Sequence, residues 1–436
     1  MTKIKSWRHH CSIAARYSRL AIIKAKAGMQ DVVTKTGLHR VASHLRVARS
    51  PAASVVPLPR IAFLFNAQGH QILHGITVAE QLALGWRANI DILSASAGHL
   101  ALARRLTHPD SHCLLRFDLI GSAALRWAAA AIGSVIPPKL LTLFASSRQL
   151  DGYDAIALPE RTSTIMRSLG VRKPRLIHLD HGAGDRAAGF DSRIARFDFA
   201  LVAGEKQRRR MLADGLIRTG AHAVVGYPKF DAADRSRQDG WTPFADARPI
   251  ILYNPHFSRT LGSWSHHGPE IARRIAEDGR FNLIVAPHVR MCDSRKRRAS
   301  FLRALGPIAD LPNVHIDPGS DRSIDMSYTM MADLYLGDVS SQVYEYLRRP
   351  RPCLFFNGNG RSWRGDPDHA HWRFGPVVED AALILRAIDY AIDSHSDFSA
   401  EQRQGFIDTF DLDEGEDHSR RAAAAIAAFF RLQPRN

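Results

Sequence analysis

The residues best suited to acid–base chemistry or phosphate binding follow short apolar runs along the chain. They form five groups: His181 and Gly182 after RLIHLD, Lys229 after AHAVVGYP, Asn254 and His256 after IILY, His288 and Arg290 after LIVA, and Asp338, Ser340 and Ser341 after DLYLG. If each run is a strand of an open parallel sheet, its carboxyl end faces the ligand crevice. The pattern therefore predicts that the five groups meet at one binding site.

Residues 332–356 predict a strand, a turn with two serines, a helix over about 342–348, and a second strand over 353–356. Free backbone N–H groups at such a junction can bind a phosphate. Glu345 lies one helical turn after Ser341 on the same face, where its carboxylate can accept hydrogen bonds from a ribose. The alternative is that the serines only cap the helix and that Glu345 is solvated.

The histidines at strand ends are candidate catalytic groups. His181 precedes glycines, and an imidazole with a pKa near 6.5 suits a general base. The alternative is a loop histidine bonded to backbone, and His256 and His288 either contact phosphate or cap their loops. No HExxH or carboxylate pair has metal-ligand spacing, so no metal is expected. The absence of Walker-type and GxSxG motifs disfavours P-loop and hydrolase interpretations.

The elements that must position these groups are two series of alternating strands and helices, and the first series begins with a strand over 61–66 and a helix over 72–84. With 436 residues and 45% apolar content, two domains are expected. Alternation of this kind predicts α/β domains with parallel sheets, and a polar, irregular stretch over 232–248 separates them. The predicted divisions are a basic segment (1–50), a first Rossmann-like acceptor domain (51–232), a linker (233–248), a second Rossmann-like nucleotide-donor domain (249–418) and a C-terminal helix (419–436).

The positive charge of the chain is concentrated at its start. Of the formal net charge of +16, residues 1–50 contribute eleven Lys or Arg against one acid, Asp31. Apolar residues between these cations predict an amphipathic helix on an anionic membrane surface. Nucleic acid is a second possible anionic partner, and a disordered tail is the third interpretation.

Cysteine use and hydropathy indicate a cytoplasmic protein. The four cysteines form no CxxC pair, which fits a reducing compartment. The longest largely apolar run, 127–136, is about half the length needed to span a bilayer.

The order of the motifs resembles the CDP-glycerol glycerophosphotransferase family, the teichoic-acid-type polymerases and primases with a GT-B fold. The motifs that carry the resemblance are HGAGDR, GYPKFD, YNPHF, APHVR and GDVSSQVYEYLRRPRPCLFF, within residues 175–357. Several positions depart from the family pattern: Ala183 replaces a threonine, Lys229 stands where arginine is common, and Gly337 and Val339 flank Asp338. These departures leave the identities of donor and acceptor open.

The resemblance implies a fold of two doubly wound Rossmann-like domains that face each other across a cleft. It also implies transfer of a glycerol-phosphate or similar polyol-phosphate unit from a CDP-activated donor to a hydroxyl of a lipid-linked or glycan acceptor, with release of CMP. No cofactor is expected, and nucleic acid is not the expected partner. The enzyme would work in the cytoplasm at the inner face of the cell membrane, held there by residues 1–50.

Residue roles follow from the same resemblance. His181 would be the general base, and His288, the second catalytic candidate, would lie near the pyrophosphate. The implied donor or phosphate ligands are Ser340, Ser341, Asp338 and Arg290, with Glu345 on the ribose. Further phosphate or acceptor contacts are expected from Arg186, Gly182, Lys229, Asn254 and His256.

Two other functions are compatible with the same motifs. One is a GT-B glycosyltransferase or epimerase that uses a nucleotide sugar. The other is a non-catalytic GT-B module that binds an anionic glycan or nucleic acid through its basic surface.

Overall fold

The computed structural model describes residues 57–131, 136–182, 184–185, 189–237, 240–410 and 417–435. The predicted basic segment 1–50 and the candidate residue Arg186 lie outside these ranges. No helix among the described residues is both long and apolar enough to cross a membrane.

Seven parallel strands form the sheet of the first lobe. They are β1 (Arg60–Phe65), β2 (Asn89–Ser94), β3 (Leu115–Leu119), β4 (Ala155–Leu158), β5 (Arg175–Leu179), β6 (Phe199–Val202) and β7 (His222–Val224). Their order in the sheet is β3-β2-β1-β4-β5-β6-β7. The strand order reverses direction beside β1, which is where a doubly wound sheet opens a ligand crevice.

The helices of the first lobe lie between these strands. They are α1 (Ile76–Gly85), α2 (Ala97–Arg105), α3 (Ala123–Ala131), α4 (Lys139–Ala145), α5 (Ser147–Asp151), α6 (Glu205–Ala213) and α7 (Lys229–Ser236). Strand β1 shows why the sheet is covered on both sides. Ile61 and Phe63 pack into one apolar cluster and Ala62 and Leu64 into another, because successive side chains point to opposite faces.

The second lobe repeats this architecture with six parallel strands. They are β8 (Ile250–Asn254), β9 (Asn282–Val285), β10 (Val314–Ile316), β11 (Leu334–Gly337), β12 (Cys353–Phe356) and β13 (Val377–Val378), in the order β10-β9-β8-β11-β12-β13. Its helices are α8 (Trp264–Asp278), α9 (Arg295–Leu305), α10 (Ser327–Met331), α11 (Gln342–Tyr346), α12 (Ile384–Asp393) and α13 (His395–Phe410). The predicted pair of doubly wound α/β units is therefore confirmed.

The last helix, α14 (His418–Phe430), returns to the first lobe. It packs against α1 and buries Ala422, Ala423 and Ile426 in the core of that lobe. Helix α13 also contacts the first lobe, beside α6. A Cβ at Gly204 would lie 2.2 Å from the Thr409 carbonyl oxygen, so this contact requires glycine.

Two sequence-based element predictions differ from the structure. A continuous helix over 72–84 is replaced by a 3-10 segment, Gly69–His74, followed by α1. Gly75 separates them, and a Cβ there would lie 2.6 Å from Leu179 Cδ1 of β5, so the close packing at this break requires glycine. The stretch predicted to be irregular from residue 232 begins inside helix α7, which forms because Phe230, Ala232 and Ala233 are buried.

Candidate functional site

A cavity of about 330 Å³ lies between the two lobes, at the carboxyl ends of their strands. The predicted site residues that line it are His181, Gly182, Lys229, His256, His288, Arg290, Ser341 and Glu345. These come from all five motif groups and from both lobes. The doubly wound topology brings them together because parallel strands of each sheet end on the same side.

Asp338 does not line this cavity but lies buried behind it. Its carboxylate accepts hydrogen bonds from the backbone N–H groups of His256, Ser263 and Val339, at 2.6 to 3.1 Å. Burial raises the pKa of Asp338, although these bonds oppose the rise. The contacts fix the turn after β11 against the turn after β8, so Asp338 shapes the site from outside it.

Asn254 and Ser340 are likewise buried away from the cavity wall. The Asn254 amide donates to the Ala286 carbonyl at 2.6 Å and accepts from the Tyr335 hydroxyl at 3.2 Å, which ties three neighbouring strands together. Ser340 Oγ accepts from the Gln342 backbone N–H at 3.4 Å, within the turn that precedes α11, whose N-cap is Ser341. Helix α11 has only five residues, so it is shorter than the sequence predicts.

His181 lies on the cavity wall contributed by the first lobe. Burial and the nearby charge of Arg161 lower the pKa of His181 to about 4, while Glu160 and the Pro159 carbonyl act in the opposite direction. The imidazole is therefore neutral near pH 7. A neutral imidazole is the form that can accept a proton from a hydroxyl.

The loop after β5 touches the serine turn of the opposite lobe. A Cβ built at Gly184 would lie 2.9 Å from Ser341 Cβ, closer than real side chains approach. By contrast, a Cβ at Gly182 would meet no described atom within 4 Å. Glycine at position 184 thus allows the His181 loop and the Ser341 turn to meet across the cavity.

Glu345 is engaged by two residues of the first lobe. Its Oε1 lies 2.7 Å from Lys229 Nζ and accepts a hydrogen bond from the Tyr227 hydroxyl at 3.1 Å. All three side chains are buried. A role for Glu345 on a ribose stays a prediction, and the same carboxylate also joins the lobes.

A second buried cluster joins the lobes at Asp185. Its carboxylate accepts from Lys206 Nζ at 2.8 Å and from the Tyr344 hydroxyl, and it lies 3.4 Å from His371 Nδ1. Burial opposes ionisation, but hydrogen bonding with His371 and the charge of Lys206 outweigh it and hold the pKa of Asp185 well below its usual range. The His371 ring is also hydrogen-bonded through Nε2 to the Asp338 carbonyl at 2.9 Å, so this cluster reaches the serine turn.

Cationic groups on both lobes face the same space. Arg290 belongs to the second lobe and lies with its guanidinium 4.4 Å from the Phe257 ring centroid. Arg161 belongs to the first lobe and donates to the Gly189 carbonyl at 2.5 Å. His288 Nδ1 accepts from the Arg290 backbone N–H at 3.2 Å, and both residues line the cavity. The arrangement can neutralise an anion between the lobes next to a neutral base.

The sequence analysis does not identify all of the polar residues that line the cavity. Those it misses include His70, Gln71, His74, Arg161, Asp185, Tyr227, Tyr344 and His371. The same strand-end rule would have found some of them, since the segment after β1 carries Gln71 and His74, and Arg161 follows β4. Nothing in the local sequence distinguishes the others. Within the described ranges, no group of three or more His, Cys, Asp or Glu side chains is arranged to hold a metal ion.

No protein-family model matches the chain, and no curated protein matches it in sequence. Solved structures do match its fold. MnaA from S. aureus, in a co-structure with UDP, is 13% identical with a TM-score of 0.57, covering 86% of this chain and 98% of that one.

Two more structures show the same architecture. The wall teichoic acid polymerase TagF is 12% identical with a TM-score of 0.55, covering 86% of this chain and 89% of that one. A putative UDP-N-acetylglucosamine 2-epimerase from Listeria monocytogenes is 14% identical with a TM-score of 0.54, covering 86% and 97%. At these identities the likeness establishes the fold, which is GT-B.

Proposed function

We propose that this chain transfers a polyol-phosphate unit, such as glycerol phosphate, from a CDP-activated donor to an acceptor hydroxyl and releases CMP. The observation that carries the proposal is the meeting of five motif groups, in the order of the resembled family, around one cavity. A neutral His181 lies there among cations from both lobes. A structure of similar fold, a TagF variant soaked with CDPG, supports the choice of a CDP-linked donor for the tests below.

The proposed reaction is a single displacement at phosphorus. The acceptor oxygen attacks the phosphorus that bears the polyol, and a new P–O bond forms. The bond from that phosphorus to the oxygen bridging the two phosphates breaks, and CMP leaves with the electron pair. His181 takes the proton of the acceptor hydroxyl.

Charge neutralisation and positioning provide most of the catalysis in this proposal, as in other phosphoryl transfers. Arg290 and Arg161 face the cavity from opposite lobes and are suited to the two phosphates of the donor. Lys229 can contribute once a ligand competes for the position that Glu345 now holds, 2.7 Å away. Ser341, exposed on the turn after β11, offers a hydroxyl to the same phosphates.

The acceptor and the location are further parts of the proposal. A lipid-linked or glycan acceptor fits a protein that works at the inner face of the cell membrane. Residues 1–50, with eleven basic residues, would hold it against anionic headgroups.

A thermal-shift screen against CDP-glycerol, CDP-ribitol, CMP, CDP and UDP-sugars tests the donor class. A ligand present at one hundred times its Kd raises the free energy of unfolding by about 2.7 kcal/mol. A rise in Tm that only cytidine nucleotides produce is therefore readily measured. We expect CDP-linked polyols and CMP to raise Tm and UDP-sugars to leave it unchanged.

Arg290→Met should abolish most of this response, because its guanidinium faces the cavity. Arg295→Met is the matched control, since Arg295 is exposed on α9 and does not line the cavity. A response to UDP-sugars alone, with release of UDP, would instead favour a glycosyltransferase or epimerase. Salt-sensitive binding of anionic glycans without any nucleotide response would favour a non-catalytic module.

A further inference from the structure

One part of the cavity wall carries no charged side chain, whereas Arg161, Lys229 and Arg290 contribute cations to other parts of it. It is formed by the 3-10 segment Gly69–His74, which follows β1 in the first lobe. His70, Gln71 and His74 from this segment line the cavity, and the exposed fractions of Gln71 and His74 are 7% and 2%. Polar side chains this deeply buried normally have hydrogen-bond partners.

Gln71 and His74 do not have a full set of such partners. Gln71 Oε1 and His74 Nδ1 are buried, and neither has a hydrogen-bond partner within the part of the chain that the structure describes. Asn66, just after β1, has the same deficit at both polar atoms of its side chain. An unsatisfied buried polar group destabilises a fold, so three such side chains within residues 66–74, two of them on the cavity wall, favour a ligand-binding role for this stretch.

The surroundings of His74 determine which kind of ligand would suit this wall. Its ring lies 5.1 Å from the Tyr227 ring and 6.3 Å from the His181 ring, measured between centroids. Burial, followed by the charges of Lys229 and His181, lowers the pKa of His74 well below its usual value. His74 is therefore neutral, and Gln71 carries no charge.

Hydroxyl groups match this pair better than phosphates do. A hydroxyl can donate to the Gln71 oxygen and can either donate to or accept from His74 Nδ1, whichever tautomer is present. A phosphate or carboxylate offers only acceptor oxygens to Gln71 Oε1, which cannot donate. A neutral group with several hydroxyls offers both the donors and the acceptors that these two atoms require.

We propose that Gln71 and His74 form a subsite for the hydroxyl-bearing part of the acceptor, a polyol or sugar unit, beside His181. The subsite lies on the first lobe, opposite the serine turn and Arg290. That the bound group is an acceptor rests on the proposed function. The hydroxyl chemistry of the subsite rests on Gln71 and His74 alone.

Gln71→Met and His74→Phe test the subsite, because each keeps most of the side-chain volume and removes the unsatisfied polar atom. Gln81→Met is the matched control, since Gln81 lies on α1 outside the cavity. Binding of glycerol, ribitol and N-acetylglucosamine is measured by saturation-transfer NMR on the full chain. Each probe is tested alone, with CMP and with UDP.

We expect at least one probe to bind the unmodified protein, and both cavity variants to weaken it about tenfold, as for one or two lost hydrogen bonds. Gln81→Met should stay within about twofold, and the affinity for CMP should not change in any variant. The Tm of Gln71→Met should equal or exceed that of the unmodified protein, because a buried unsatisfied atom has been removed. Together these results would separate a ligand contact from a structural role.

The subsite would be refuted if no probe binds, if both cavity variants keep full probe affinity, or if Gln71→Met lowers Tm and leaves probe binding unchanged. Failure of the proposed function looks different. A response to UDP and none to CMP would refute the CDP-linked donor, while tenfold weakening of probe binding by the cavity variants would still support the hydroxyl subsite.

Discussion

The ion pair between Lys229 and Glu345 is buried, and we therefore predict that removing one partner lowers the free energy of unfolding strongly. The two charged atoms are 2.7 Å apart, and the side chains are only 5% and 7% exposed. Removing one member of a buried pair costs about 3–5 kcal/mol, because the remaining charge stays buried without its partner. Lys229→Met should therefore lower the free energy of unfolding by about 3 kcal/mol, the lower end of that range, since Tyr227 still donates to Glu345.

An exposed ion pair of the same length provides the control. Arg105 on α2 and Asp321 of the second lobe also join the two lobes at 2.7 Å, but their side chains are 61% and 64% exposed. Exposed pairs contribute about 0.2–1 kcal/mol, because water already solvates both charges. Arg105→Met should therefore cost less than about 1 kcal/mol, and the comparison isolates the effect of burial.

Urea unfolding of the full chain, followed by tryptophan fluorescence, measures the free energy of unfolding of both variants. The values can be compared if the dependence of that free energy on urea concentration is the same in each protein. The double variant Lys229→Met/Glu345→Met should recover most of the loss, because no unpaired charge then remains buried. If Lys229→Met and Arg105→Met differ by less than about 1 kcal/mol, burial does not govern this contact and the reasoning is wrong.

Three further predictions concern catalysis, packing and membrane binding. His181→Asn should lower kcat by about 10²–10⁴ while leaving the protein folded. A general base works in its unprotonated form, and the pKa of His181 is about 4, so kcat/KM of the unmodified enzyme should stay level down to about pH 5. A fall of kcat/KM with its midpoint near pH 6.5 would contradict this assignment. Near-normal activity of His181→Asn would contradict it as well. Gly184→Ala should destabilise the protein by about 1–3 kcal/mol in urea unfolding, because its Cβ would overlap Ser341. Gly182→Ala should have a much smaller effect, and equal losses would contradict the packing argument. Deletion of residues 1–50 should release the protein from anionic vesicles in a flotation assay, and unchanged binding would rule out their membrane role.

The strands that the sequence predicts well are those buried on both faces. Cys353–Phe356 is one example, and the structure gives β12 the same bounds. An uninterrupted apolar run between turn residues has few alternatives to a buried parallel strand. The strand β3 (Leu115–Leu119) is harder to predict because it is an edge strand, and the sequence LRFDL exposes much of its surface.

Residues that line the cavity are likewise easier to predict than residues that lie behind its wall. Strand ends predict that His181, His288 and Ser341 share a cavity, because the sheet topology alone brings those ends together. They do not predict that Asp338 turns inward to three backbone N–H groups. That orientation depends on the position of the turn after β8, which lies about eighty residues earlier in the chain.

The sequence by itself determined the fold class, the succession of strands and helices, and the set of strand ends from which the site is built. These follow from local hydrophobic patterns and from the geometry of parallel sheets. Only the tertiary structure decided which side chains face the cavity, which ones join the lobes and which polar atoms are left unsatisfied. Glu345 meets Lys229 and Tyr227 across more than one hundred residues of chain, and such contacts depend on the packing of two lobes rather than on local sequence.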